Sequence, residues 1–309
     1  MKITIQKVSA LSVCMIMLIC LFTCTGINKQ SNGLTPGINT ETNEDLDFDI
    51  IDPTLPEDDT ITDAPSSGNT NTEAPTITIP ERFRTALQAY NYATNYLNNS
   101  TGVLSVITGI TDAGITTQSV KGTKIIDKNG NFFLENASKK TSSIGVDFAE
   151  QIYIPANKDD IYYKTSSKIN EDLSANYDTP EIIYTKEAYA KEFYLMPYDS
   201  NYIINQSTIE SSRIRYSASD QRYYCSFILN DLAVENYKYK LKKSSTSSSM
   251  PTFKTINMEF ILDKYGRFLS KSTLDVCSVT IVIGVTITTS IKEIFKSYNN
   301  PDLIIERGE

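Results

Sequence analysis

The 309-residue chain contains no histidine and no tryptophan. Without histidine there is no Ser-His-Asp or Cys-His nucleophilic machinery, and none of the usual histidine-bearing zinc sites. Cysteine is scarce: Cys14 and Cys20 sit inside an apolar N-terminal run and Cys24 ends it, which leaves Cys225 and Cys277 for the rest of the chain. Two thiols are too few for a thiolate zinc cluster or an iron–sulfur centre. No P-loop or dinucleotide-type glycine loop is present. The expectation is therefore no metal, no cofactor and no enzyme, with paired-carboxylate hydrolysis kept as a minor alternative. The missing tryptophan also weighs against a sugar-binding module that stacks rings on indole.

What is present begins with Lys2 and Lys7, then an apolar run from Val8 to Phe22 that closes in Leu21-Phe22-Thr23-Cys24. A basic start, a short apolar core and a terminal small-residue site form the layout of an export signal. The run falls short of the roughly 20 residues that span a bilayer as a helix. Leu21 to Cys24 resembles the lipobox of bacterial lipoproteins, which implies lipidation at Cys24, although Thr23 stands where that family usually has Gly, Ala or Ser. Cleavage a few residues downstream and a retained anchor are the other readings. The expected location is the extracytoplasmic face of a bacterial cell membrane, held there by lipid.

Residues 25–80 are rich in Thr, Asn, Ser, Pro and acidic side chains and cannot build a core. They hold 11 acidic residues against one lysine, whereas from Glu81 onward 26 acidic and 26 basic residues balance. The chain's net charge of −8 thus belongs to a spacer and not to a binding surface. A balanced domain without a basic face argues against nucleic acid as a partner; the Lys238, Lys240, Lys242, Lys243 cluster reads as a solvated helix face.

Residues 81–309 are long enough for one core. Phe83, Leu87, Tyr90, Thr94 and Leu97 have helical spacing. Strand patterns follow at Val103–Thr111, Thr116–Ile126, Asn131–Glu135, Ala149–Ile154 and Ile161–Thr165, with a hairpin at Asp127-Lys128-Asn129-Gly130. A short helix is predicted at Lys186–Leu195. Asn230–Ser244 suits a helix capped by Asn230 or Asp231, with a strand as the alternative. Near the C-terminus, Ile256, Met258, Phe260 and Leu262 alternate with polar residues. Arg267–Asp275 reads as a strand. A further long strand is predicted to place Cys277, Val279, Ile281, Ile283, Val285 and Ile287 on one face and mainly hydroxyls on the other.

One amphipathic helix, antiparallel strands, the strand-then-helix element Tyr223–Lys243 and the turn Leu262-Asp263-Lys264-Tyr265-Gly266-Arg267 together resemble the LolA-like half-barrel carriers, including the lipid-anchored LppX type. The resemblance implies an α+β fold, a strongly curved antiparallel sheet whose concave face is covered by a few helices. It also implies a space for an acyl chain, for which Met258, Phe260, Ile281, Ile283 and Val285 are the candidate lining. The same side chains could simply fill a closed core.

Cys225 and Cys277 both lie on the apolar parity of their strands, so they read either as two buried thiols or as an inter-strand disulfide. Asp159-Asp160 reads as a solvated turn. Asp127, Asn129 and Asn131 begin like a calcium loop, but the glycine comes too early and the later bidentate acid is missing. Two functions stay open: an anchored protein holding a hydrophobic ligand such as a lipid, or an envelope scaffold with a filled core that meets a protein partner through some of its 19 tyrosines.

Overall fold

The structure is a computed structural model describing residues 83–114, 116–141, 146–244, 250–280 and 284–306. The export signal, Cys24 and the acidic spacer lie outside the described residues, as do Ile281 and Ile283.

Helix α1, Ala86–Asn98, starts where the Thr85 hydroxyl accepts the Gln88 amide. Its buried face is Ala86, Ala89, Tyr90, Ala93 and Leu97. Three alanines let the helix lie close, and Tyr90 reaches down to the rings of Phe227, Phe260 and Phe268 at 5.8, 5.5 and 5.8 Å. Five strands follow: β1 Val103–Asp112, β2 Thr117–Ile126, β3 Phe132–Lys140, β4 Phe148–Ile154 and β5 Asp160–Ser166. Next come the short strand β6, Ile182–Thr185, and helix α2, Lys186–Phe193, which is capped by Thr185. Then come β7 Ile209–Ser217, β8 Arg222–Leu229, a 3-10 turn Asp231–Val234 and helix α3 Glu235–Ser244. The chain finishes with β9 Thr252–Asp263, β10 Phe268–Thr280 and β11 Gly284–Ser297.

All eleven strands join one sheet in the order β6-β5-β4-β3-β2-β1-β11-β10-β9-β8-β7, with antiparallel pairing throughout and no closure of β6 onto β7. This is the open half-barrel and α+β class that the sequence resemblance implied. The apolar covered face forms two clusters. The larger holds α1, α3 and the inward residues of β8–β11; the smaller holds Ile107, Phe132, Leu134, Ile152, Ile154, Ile161, Tyr163 and, from α2, Tyr189. The outward residues of β11, such as Thr286, Thr288, Ser290 and Lys292, are exposed or half-buried, so the sheet is greasy on one side.

Several boundaries differ from the sequence expectation. The strand predicted at Asn131–Glu135 continues to Lys140, and β6 and β7 carry no period strong enough to find. The long strand predicted beyond Asp275 is the end of β10 and the start of β11. Because the hairpin pairs Cys277 with Ile287 and Val279 with Val285, all four keep the predicted face.

Two hairpins are built alike, and the calcium-like pattern belongs to one of them. In Asp127-Lys128-Asn129-Gly130-Asn131, the Asp127 carboxylate accepts the amides of Asn129 and Asn131, and Gly130 takes φ +80. In Asp263-Lys264-Tyr265-Gly266-Arg267, Asp263 accepts the amides of Tyr265 and Arg267, and Gly266 takes φ +80. The aspartate oxygens are thus spent on backbone amides, and glycine serves the left-handed position of a bulged turn.

Candidate functional site

The expected acyl lining divides when placed on the structure. Phe260 is fully buried among Tyr90, Phe227 and Phe268, and Met258 lies beside it on the covered face of β9. Around Phe260 the interior is filled by rings. Val285 is half-buried at the edge of the same cluster.

The disulfide alternative does not fit the register. Cys225 lies opposite Phe260 and Cys277 opposite Phe253, both on β9. Seven residues of strand separate those levels, roughly 23 Å at 3.3 Å per residue, whereas a disulfide needs Cα atoms about 4.4–6.8 Å apart. Both thiols are buried, and burial pushes Cys225 up to about 12, far from a reactive thiolate.

Sequence reasoning missed a polar belt on the covered face. Asp275, Thr289, Thr111 and Gln118 face one another in register across β10, β11, β1 and β2, each 3 % exposed or less. Farther along, Ser138, Asn136 and Glu150 continue the belt onto β3 and β4, all buried. Glycine makes room for part of it: a Cβ at Gly122 would collide with the Asn136 carboxamide oxygen. Loop and helix supply the cover. The Tyr202 hydroxyl donates to Asp275, and Lys240 of α3 is buried within electrostatic reach of Glu150 and Asp199.

Two features of this belt bear on binding. Its carboxyls sit high: burial raises Glu150 against the pull of Lys240, Asn136 and Tyr163, and burial raises Asp275 to about 7 against the Tyr202 bond. Secondly, among the described residues, Gln118 Oε1, Asn136 Oδ1, Asn201 Oδ1, Asp275 Oδ1 and Ser138 Oγ are buried with no hydrogen-bond partner. An orphaned buried acceptor costs about 1–3 kcal/mol, which a donor placed against it recovers. The signal was available in the sequence, because Asp275 and Thr289 share strand parity with Cys277 and Ile287.

A second buried polar group is self-contained. Glu293 Oε1 accepts from Ser105 at 2.7 Å and pairs with Lys124 at 2.5 Å, and Glu293 Oε2 forms an ion pair with Lys271 at 3.2 Å. The Lys271 ammonium also lies 5.1 and 5.2 Å from the ring centres of Phe268 and Phe295. Burial, opposed by Glu293, brings Lys271 down to about 8.

No family model and no curated protein matches the sequence. Among solved structures the chain is similar to LprF from Mycobacterium bovis, with 9% identity, TM-score 0.38, and 72% of this chain and 96% of that one covered. It is also similar to a beta-barrel-like protein of a domain of unknown function, DUF1849, from Brucella abortus, with 8% identity, TM-score 0.25, and 64% and 99% covered. The half-barrel assignment stands on the strand order itself.

Proposed function

We propose that this protein is a non-enzymatic, lipid-anchored protein of the extracytoplasmic membrane face that takes up an amphiphilic ligand between sheet and helices. Cys24 carries the anchor, and the acidic spacer of residues 25–80 holds the folded part away from the membrane. The observation that supports ligand uptake is the belt of orphaned acceptors lying between the two apolar clusters of the covered face. Acceptors call for a head bearing hydroxyl, amide or ammonium donors, while the clusters on either side suit its hydrocarbon. The test is native mass spectrometry of the full-length protein before and after lipid extraction. An acyl ligand that co-purifies, or rebinds on addition, is expected, and Gln118→Leu with Ser138→Ala weakens it; failure of any acyl amphiphile to rebind would overturn the reading.

A second reading rests on the rings around Phe260. Where Tyr90, Phe227, Phe260 and Phe268 interlock, the core is filled, as a scaffold's would be. That reading expects crosslinking in intact cells to trap one discrete envelope protein. Hydrolysis by paired acids is less well supported, because Glu293 is held by two lysines and a serine, and Asp275 by Tyr202.

A further inference from the structure

At the end of the sheet where α1 runs into β1 and β11 finishes, Tyr92, Asn95, Tyr96, Asn99, Ser100 and Asn299 line an open groove of about 260 Å³. None of the six carries a formal charge at neutral pH. The Arg267 guanidinium, held by Asp263 through contacts of 2.7 and 2.6 Å, also bonds the Tyr96 side chain.

The groove is held rigid from behind. Tyr92 is 39% exposed, yet its ring is fixed against Phe83 at 5.3 Å and over Gly266, where a Cβ would come within 2.7 Å of it. Tyr96 is braced by the Tyr298 ring at 5.8 Å, and its hydroxyl accepts from Asn299 Nδ2 at 3.0 Å. Asn299 itself takes φ 52, a left-handed conformation uncommon for a residue with a side chain, and its amide is bonded to the Thr101 carbonyl at 2.8 Å. Asn99 Nδ2 is tied to the Asn95 carbonyl and to its carboxamide oxygen at 2.8 and 3.2 Å.

Among the lining side chains, these ties engage Asn99 Nδ2, Asn299 Nδ2 and the Tyr96 hydroxyl and do not involve the Tyr92 hydroxyl, the Asn95 amide nitrogen or the carboxamide oxygens of Asn99 and Asn299. We propose that this groove binds a neutral saccharide unit, its ring stacked on Tyr92 and its hydroxyls paired with the asparagine side chains. A vicinal diol needs both donors and acceptors at close spacing, because each hydroxyl gives one hydrogen bond and takes others. The apolar C–H face of a pyranose needs an immobilised aromatic face. Tyrosine here supplies what tryptophan commonly would. The site is separate from the interior belt and does not depend on ligand uptake there.

The sugar could be free, as in a glycan, or the head of a glycolipid, and two measurements separate these. The first is saturation-transfer NMR on the full-length protein with glucose, galactose and N-acetylglucosamine. The second is flotation of the full-length Cys24→Ser variant, which carries no acyl anchor, with phosphatidylcholine vesicles with and without galactosyl-diacylglycerol. Transfer to the ring C–H protons of a free sugar assigns a soluble glycan; flotation only with the glycolipid, without transfer to free sugar, assigns a lipid head. In either case Tyr92→Ala abolishes the signal, Tyr92→Phe retains most of it, and Asn299→Gly weakens it while leaving the thermal midpoint in place. Absence of both signals, or a signal that survives Tyr92→Ala in protein of unchanged midpoint, overturns the proposal.

Discussion

Asp275 and Glu293 show how differently two buried carboxyls behave when one has cationic partners and the other has not. Asp275 has only the Tyr202 hydroxyl, and burial lifts its carboxyl from the ordinary 3.8 to about 7. The folded state therefore holds that proton more tightly than the unfolded chain does. Its contribution to stability is complete below the unfolded value and is lost as pH rises through the folded one. Each unit of separation is worth about 1.4 kcal/mol. Thermal midpoints measured from about pH 5 to about pH 8 should fall for the natural protein and stay flatter for Asp275→Asn; equal slopes would show that Asp275 is not the titrating group. Glu293, by contrast, is paired with two lysines. Glu293→Ala strands two buried ammonium groups and should cost about 3–5 kcal/mol. Lys271→Met leaves Glu293 bonded to Lys124 and Ser105 and removes the cation that burial already disfavours, so it should cost about 1 kcal/mol or less. Urea denaturation of the two variants gives the comparison, and comparable losses would argue against the assigned pairing.

The elements follow from short-range signals wherever those signals are strong. Asn230 is one: its carboxamide oxygen accepts the Leu232 amide at 3.0 Å, and its Nδ2 donates to the Ser207 carbonyl at 2.8 Å, joining the cap of the 3-10 turn and α3 to the loop before β7. Asn230→Ala should cost about 1–2 kcal/mol and speed amide exchange in the 3-10 turn and α3 but not in α1. Asn230→Asp, which keeps the cap acceptor, should recover most of that loss; exchange unchanged in the alanine variant would mean that tertiary packing alone holds the helix. The sequence favoured a helix over this segment while leaving a strand open, and the structure shows the helix, with the Asn230 cap and with Val234, Tyr237 and Leu241 all buried. Alternation likewise revealed Ile256, Met258, Phe260 and Leu262. It failed for β7, where Ser211, Ser212, Arg213 and Arg215 are exposed and the core-facing Ile209, Ile214 and Tyr216 are only partly buried and irregularly spaced, and for β6, which is four residues long. Parity places Asp275 and Thr289 on the face of Cys277 and Ile287, but the belt as a whole escaped because only the sheet register brings them together with Gln118, Asn136 and Ser138. The groove escaped because Asn299 and α1 are distant in sequence and meet only where β11 ends.

An open sheet has two edges, and this one guards them unequally. On β7, Arg213 and Arg215 are exposed charges that oppose strand addition. On β6, Ile182 and Ile183 are 49% and 59% exposed, one on each side of the strand, and brevity is the main protection. Backbone groups beyond β6 are therefore the more available template for pairing with another chain, and adjacent isoleucines would reward it. Ile183→Lys removes no core contact, so its stability should stay within about 0.5 kcal/mol of the natural protein. Its association at high concentration, followed by static light scattering on the full-length protein, should fall. Arg213→Val with Arg215→Val should raise association by uncovering the opposite edge. If scattering responds to the β7 substitutions and not to Ile183→Lys, the vulnerable edge is β7, and α2, which follows β6 directly from Thr185, is then the element that shields the isoleucine edge.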